Sequence, residues 1–414
     1  MKYDYLPKQD PAVWQIIKAE EQRQNDEIEL IASENYVSPA VLEAMATVLT
    51  NKYSEGYAGR RYYGGNYNID DIETLAIERA KELFSAEHVN VQPLSGSPAN
   101  AAVYMAFLNP GDKVLGLKLD HGGHLSHGHS VNFSGRLYNF VQYGVDPESG
   151  IINMESVREI ALREKPKMIV AGFSAYSREI DWRGFQDIAD EIGAYTFADI
   201  AHIAGLIAAR QLDNPVPIFD VVSTTTHKTL RGPRGAIIMC KEKYAKQVNS
   251  AVFPGMQGGP HNHITAAKAV AFGEALKPEF KEYAGQIIKN AQAMADEFMR
   301  RGYRIISGGT DNHLMVIDLG NKGLAGKEAE KVLERIGVSV SRSTIPNDPN
   351  PPLNPSGMRV GTPAVTTRGM KEEEMKLIVS YIDRALGNKA SEKELQSLKD
   401  EVKKLCYRFP IPTK

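Results

Sequence analysis

Cysteine is almost missing from this chain of 414 residues: Cys240 and Cys406 are the only two, and they form no CxxC unit. A disulfide framework is thereby excluded, and the chain suits a reducing compartment with both thiols buried rather than catalytic. A surplus of either charge is missing too, with 49 Lys and Arg against 51 Asp and Glu and a formal net charge of -2. Such a balance gives no bulk attraction to nucleic acid or to anionic lipid. Long hydrophobic runs are also lacking. Met-Ile-Val-Ala-Gly-Phe at 168–173 is one such run, and none approaches the roughly 18–20 residues of a membrane span. Nor does the stretch from Met1 to Lys8 hold the apolar region of a secretory signal. The chain carries no internal repeat and no low-complexity segment. The expectation is a cytoplasmic protein with neither nucleic acid nor membrane as partner.

What is present is an ordinary globular composition, 42% hydrophobic and 24% charged, with ample apolar surface for a core. Residues 1–30 read as an N-terminal helical arm with Trp14, Ile16 and Ile17 as packing anchors. A Gly-, Tyr-, Asn- and Ser-rich segment follows over 31–68; long irregular segments in compact proteins are usually functional. Apolar strands are then expected at 88–92, 113–117, 138–142, 167–173, 194–198, 219–223 and 236–240, alternating with helices such as 70–86, 154–164 and 184–192. That alternation predicts an α/β large domain over 31–280, built on a mostly parallel sheet. A long helical stretch over 263–301 leads into a smaller C-terminal α+β domain, 281–414. Its strands are expected at 303–307, 313–319, 336–340 and 357–361, and its helices near 326–336, 370–386 and 391–405.

Three constellations carry chemistry. Ser95-Gly96-Ser97 lies between a strand and an apolar helix, where exposed N–H groups and two hydroxyls could cradle a phosphate; the alternative is a plain capped helix. Asp199 and His202 directly follow the strand Tyr195-Thr196-Phe197-Ala198, and ligands of α/β proteins bind at such carboxyl ends; a capping Asp with a packed His is the other reading. Lys228, in Thr224-Thr225-Thr226-His227-Lys228-Thr229-Leu230-Arg231-Gly232-Pro233-Arg234, follows the strand Phe219-Asp220-Val221-Val222. A lysine flanked by Thr and His near two arginines can be held partly deprotonated and condense with an aldehyde. Pyridoxal 5′-phosphate needs all three: a phosphate cradle, a carboxylate for its ring nitrogen, and a lysine for its aldehyde.

The stretches Glu55-Gly56-Tyr57 through Arg61-Tyr62-Tyr63-Gly64-Gly65, Ala198 through Leu206, Thr224 through Arg234 and Pro254-Gly255-Met256-Gln257-Gly258-Gly259-Pro260 resemble serine hydroxymethyltransferase. The likeness runs from about residue 5 to 405. It implies a transferase of pyridoxal-phosphate-dependent fold type I, with a seven-stranded, mostly parallel sheet in the large domain. It further implies a homodimer with a shared active site that interconverts serine and glycine with tetrahydrofolate as co-substrate, through an external aldimine. By the same likeness Lys228 holds the cofactor's aldehyde, Asp199 its ring nitrogen, His202 its ring oxygen and His124 its ring face. Ser95, Gly96, Ser97 and His227 meet the phosphate, with Tyr53 and Gly259 arriving from the partner subunit. Arg359 and Ser33 hold the substrate carboxylate, Glu55 from the partner transfers protons, and Tyr63 and Thr225 join the catalytic set. Tyr62, Leu119, Gly123, Ser174 and Ser343 complete the substrate and folate contacts. The chain departs from the family at Ser341-Arg342-Ser343, where Asn-Lys-Asn is usual, at Ala58 and Ser126 in place of Pro and Thr, and at Ser177, where Pro is common.

Rival readings follow from the same residues. A folate-independent aldolase of the threonine aldolase kind would use the same cofactor, and a non-catalytic interaction protein could keep the fold without the chemistry. His121, His124, His127 and His129 could suggest zinc, but a ring-stacking His124 accounts for the Gly-rich loop better, and no metal is expected. For Glu55 the alternative to proton transfer is a salt bridge to Arg60 or Arg61.

Overall fold

The computed structural model describes residues 4–387 and 391–412; Met1, Lys2 and Tyr3 of the expected N-terminal arm lie outside them. The chain divides into two compact units. One is Ala40–Gly285; the other groups the described chain up to Pro39 with that from Gln286 onward. This differs from the expected three-part division at 30 and 280, because the N-terminal segment makes its contacts with C-terminal elements.

The first unit is built on seven strands: β1 (His88–Asn90), β2 (Lys113–Leu117), β3 (Asn139–Tyr143), β4 (Met168–Gly172), β5 (Tyr195–Asp199), β6 (Val221–Thr225) and β7 (Ala236–Cys240). Their order across the sheet is β1-β7-β6-β5-β4-β2-β3. β7 pairs antiparallel with both β1 and β6, and the remaining pairs are parallel. Every residue of β4, β6 and β7 is buried, as expected of strands covered on both faces. Helix Gly96–Phe107 packs its Ala99, Val103, Tyr104 and Phe107 with Val114, Val170, Phe197, Val221 and Ile238 of the sheet. Tyr104 lies at the centre, edge-on to Phe140 and Phe197 and donating through its hydroxyl to Ser126 O at 2.8 Å.

The expected helix 263–301 is two helices, Asn262–Ala275 and Pro278–Arg300. Pro278 supplies no amide and disfavours helix at Lys277, so the first helix stops and the proline opens the second. β1 is shorter than its expected span, since the Gln92 amide turns to Asn90 Oδ1 at 3.0 Å instead of the ladder.

In the second unit an antiparallel sheet joins β8 (Arg304–Ile305), β9 (Leu314–Asp318), β10 (Ser341–Ser343) and β11 (Gly357–Gly361), in the order β8-β9-β11-β10. β10 lay outside the expected strands, and β8 stops short of 307 because Ser307 and Gly308 take positive φ values of 62° and 67°. The expected strand 336–340 shrinks to Val338–Ser339, which pairs in parallel with Ile28–Glu29. Ile28 and Leu30 enter the same core as Phe298, Met315, Ile317, Met358 and Leu398. Trp14, Ile16 and Ile17 do not: Ile16 is 70% exposed, and only Asn25 of helix Pro11–Asp26 is buried.

Arg368 ties this segment down instead. Its guanidinium donates to Gln24 O, Asn25 O and Glu27 O at the end of helix Pro11–Asp26, and to Cys406 O and Phe409 O at the end of helix Glu392–Arg408, over 2.6–3.2 Å. Cationic donors are favoured at helix C-termini, where carbonyls lack intrahelical partners. Both cysteines are buried, and burial pushes their thiols up, to about 12 for Cys240 and about 11 for Cys406. Among the described residues no helix is long and apolar enough to cross a membrane.

Arg368→Met strands these carbonyls together and is expected to destabilise the fold by roughly 3 kcal/mol or more. Urea unfolding measures it; an unchanged midpoint would show the five bonds to be dispensable.

Candidate active site

In the first unit the sequence-predicted residues gather at one edge of the sheet. Ser95, Gly96 and Ser97 follow β1; Leu119, Gly123 and His124 follow β2; Ser174 follows β4. Asp199 ends β5 with His202 just beyond, and Thr225 ends β6 with His227 and Lys228 just beyond. All stand past the carboxyl ends of co-directional strands, where loops from different strands converge.

Asp199 is the most constrained of them. Its carboxylate accepts from Asn100 Nδ2 at 2.8 Å, His127 Nε2 at 3.1 Å and the Ala201 amide at 3.1 Å. Asn100 is itself fixed, accepting from Ser223 Oγ at 2.7 Å and donating to Ser126 Oγ at 2.8 Å. His127 Nδ1 accepts from the His124 amide at 3.3 Å, which leaves the proton on Nε2, facing Asp199. Burial alone would raise the Asp199 carboxyl, but the hydrogen bonds donated by His127 and Asn100 help to hold it well below the usual carboxylate range. An anion is thus maintained in the interior.

His124, His127 and Asp199 bring ligand atoms within 4.8 Å of one another. Hydrogen bonds already occupy this set: His127 and Asp199 face each other across a proton, and His124 Nδ1 accepts from the Ser126 amide at 3.1 Å. Close behind, Phe173 stacks on His202 with ring centroids 6.3 Å apart. Ser174 N donates to Gly122 O at 2.7 Å, joining the Ser174 loop to the Gly122-Gly123 turn.

The Lys228 loop is tethered at several points. Thr226 N donates to Gly235 O at 3.0 Å and Thr226 Oγ1 to Pro233 O at 2.6 Å. Thr229 Oγ1 donates to His202 O at 2.9 Å, and the Gly205 amide donates to Thr229 Oγ1 at 3.0 Å. Arg231 lies over the Tyr283 ring at 4.4 Å, so its charge is turned to an aromatic face. Against Thr225 packs the Ser95-Gly96-Ser97 turn, where a Cβ on Gly96 would fall 2.8 Å from Thr225 Cγ2. Ser95 holds the N-cap position of helix Gly96–Phe107, yet its side chain makes no capping bond. The plain capped-helix reading is therefore not what forms. Nearby in sequence, His227 Nδ1 is buried without a hydrogen-bond partner.

Among the described residues no ion pair joins Glu55 to Arg60 or Arg61. Arg61 pairs with Asp70 at 2.8 Å and Glu73 at 3.1 Å, and it donates to Ser54 O and Gly56 O at 3.0 and 2.7 Å. Gln92 Nε2 donates to Gly56 O and Glu73, both at 2.9 Å. The expected alternative, an Arg60 or Arg61 partner for Glu55, gives way to a network that holds the carbonyls on either side of Glu55. Glu55 instead accepts from Tyr53 Oη at 3.3 Å. Tyr63 meets Tyr53 edge-on at 5.0 Å, and Gly259 lies against the Tyr53 ring. Tyr53, Tyr62 and Tyr63 are 55%, 74% and 48% exposed in the single chain.

In the second unit Arg359 lies on β11, paired with Ser341 and donating to its Oγ at 3.4 Å. Burial pulls its guanidinium down to about 10, still a cation near neutrality. The end of β11 abuts the segment before Ser33, with Gly361 N donating to Leu30 O at 2.8 Å and no room for a Cβ against Ala32. Ser343 turns its hydroxyl to Thr344 O at 3.1 Å.

Sequence reasoning gave no role to Asn100, Ser126 or His127. A polar Asn inside an apolar helix was the available signal for the first; the histidine run hid the third.

Burial first, and then the neighbouring His127, draws His124 down to about 4. Burial first, and then the charges of Arg234 and Lys228, draws His227 down to about 3. Both stay neutral in the fold at pH 5, whereas in the unfolded chain they take up protons near 6.5. The unfolded state then binds more protons, so stability falls as pH drops from about 7 towards 4. The melting temperature of cofactor-free protein should fall over that range, and less steeply in a His124→Asn, His227→Asn double variant. Equal slopes would contradict the assignment.

Known proteins bear on this arrangement. A family model described as serine hydroxymethyltransferase matches residues 6–382. A serine hydroxymethyltransferase of Legionella pneumophila (strain Lens) is 57% identical over 404 residues, covering 97% of each chain. The α/β architecture with a large mixed sheet is that of pyridoxal-phosphate-dependent fold type I, as expected. A match across nearly the whole sequence, over residues that converge on one sheet edge, means that the chain belongs to the serine hydroxymethyltransferase family.

Proposed function

We propose that this chain converts serine and tetrahydrofolate reversibly to glycine and 5,10-methylenetetrahydrofolate, with pyridoxal 5′-phosphate as cofactor. The observation that carries the reading is the buried, ionised Asp199, on the same sheet edge as Lys228 and the Ser95-Gly96-Ser97 turn. The donor set fits the cofactor. His227 Nδ1 is buried without a partner, Ser95 does not cap its own helix, and a carboxylate is kept charged for a ring nitrogen.

When bound, pyridoxal phosphate supplies an aldehyde for amine attachment and a protonated ring that withdraws electrons from the bond being broken. Lys228 would carry the attachment, and Asp199 would keep the ring nitrogen protonated. His202 would meet the ring oxygen, His124 the ring face, and Ser95, Gly96, Ser97 and His227 the phosphate. Thr225, pressed against Gly96, would keep the turn close to the Lys228 loop. Arg359, with Ser33, would grip the substrate carboxylate through its planar fork. Glu55, beside Tyr53 and Tyr63, would exchange a proton with the serine hydroxyl or the folate. Tyr62, Leu119 and Gly123 would flank the pterin and Ser174 would join the substrate contacts, with Ser343 contributing less because its hydroxyl is engaged by Thr344.

The exposed tyrosines beside Glu55 support a homodimer in which Tyr53, Glu55 and Gly259 serve the partner's cofactor. Chemistry on soluble metabolites, with two buried free thiols, suits the cytoplasm.

Glycine formation from serine should require tetrahydrofolate; equal turnover without it would favour a folate-independent aldolase. Borohydride should fix pyridoxal phosphate to the peptide holding Lys228 and fail to do so in Lys228→Ala; label on another peptide would refute the assignment. Glu55→Gln should keep cofactor and glycine binding while folate-dependent serine turnover falls by roughly two to four orders of magnitude. Turnover within a few-fold of the parent would remove Glu55 as the proton-transfer group.

A further inference from the structure

Lys268 is a buried lysine that the chemistry above does not use, its ammonium drawn down to about 7 by burial. It lies on helix Asn262–Ala275 and is 2% exposed. Its ammonium donates to three main-chain carbonyls: Val91 O at 2.6 Å, Ala236 O at 2.9 Å and Pro93 O at 3.1 Å. An ammonium has three donors, so carbonyls alone satisfy this one.

The three acceptors lie at informative places. Val91 and Pro93 belong to the segment that leaves the sheet after β1 and reaches Ser95 two residues beyond the proline. Its buried carbonyls have lost the ladder and need donors. Gln92 O takes Gln257 Nε2 at 2.9 Å, and Pro93 O takes the Ala236 amide at 3.2 Å as well as Lys268. Ala236 opens β7 and follows Gly235, whose carbonyl receives the Thr226 amide in the Lys228 loop. A Cβ on Gly235 would fall 2.6 Å from Lys268 Cε, so glycine leaves the room the lysine occupies. One side chain therefore fastens the approach to the Ser95-Gly96-Ser97 turn to the return of the Lys228 loop.

We propose that Lys268 is a positioning residue for cofactor recognition, holding the phosphate-facing turn in register with the Lys228 loop without touching the cofactor. The inference rests on the pyridoxal phosphate reading above. Its test is the preference for pyridoxal phosphate over pyridoxal, which has the same ring and aldehyde but no phosphate. Both are titrated onto cofactor-free parent, Lys268→Met and Lys268→Gln chains, alongside melting curves.

Loss of this fully buried donor set should cut the phosphate preference about tenfold or more in Lys268→Met, with pyridoxal affinity changed only a few-fold. Lys268→Gln, which keeps two donors, should fall between the two. A lower melting temperature with an unchanged preference would make Lys268 a core-stability residue and overturn the proposal. If Lys268→Met does not fold, the preference in Lys268→Gln decides in the same way. A parent chain that binds neither compound would instead sink the cofactor reading itself, an outcome distinct from failure of the Lys268 role alone.

Discussion

A carboxylate held ionised inside the protein is the constraint around which the first unit is arranged. Burial disfavours the charge on Asp199, and an isolated interior anion would take up a proton. Donors from three separate elements prevent this: Asn100 from the helix after β1, His127 from the loop after β2, and the Ala201 amide just beyond β5. Each donor is in turn held by Ser223, the His124 amide or the chain itself. Lys228, His202 and Ser95 stand past the ends of strands of the same sheet, so the anion and its donors lie on the sheet edge where the proposed chemistry would take place.

The supporting layer follows a second rule, that carbonyls leaving a ladder must be met. Lys268, Arg61 and Arg368 each place a buried basic side chain among main-chain carbonyls rather than in a simple surface ion pair. Two of them act in the first unit. Arg61 and Gln92 hold the backbone of the Glu55 segment, and Lys268 holds the segment on either side of Gln92. Residues 91–93 thereby link the Glu55 segment, the Ser95-Gly96-Ser97 turn and β7.

Much of this was legible in the sequence because it is local. Strands of β-branched and apolar residues announce the α/β sheet, and Asp199, Lys228 and Ser95 each stand directly after one. The expected roles of the strand ends needed no long-range information. What stayed hidden depends on tertiary partners. Nothing near Arg61 says that it prefers Asp70 and Glu73 to Glu55, because the choice is made where helix Tyr67–Phe84 packs. His127 looked like one imidazole in a run until the fold set its Nε2 against Asp199. The placement of the N-terminal segment was illegible for the same reason: Ile28 pairs with Val338, and Arg368 caps two helix ends far apart in sequence.

The central claim, that the charge on Asp199 drives the chemistry, is tested most directly by Asp199→Asn, which keeps size and most hydrogen bonding but removes the anion. Pyridoxal phosphate should still bind and attach at Lys228, while serine-to-glycine conversion with tetrahydrofolate falls by at least about a hundredfold. Conversion within a few-fold of the parent, with cofactor bound, would contradict the account.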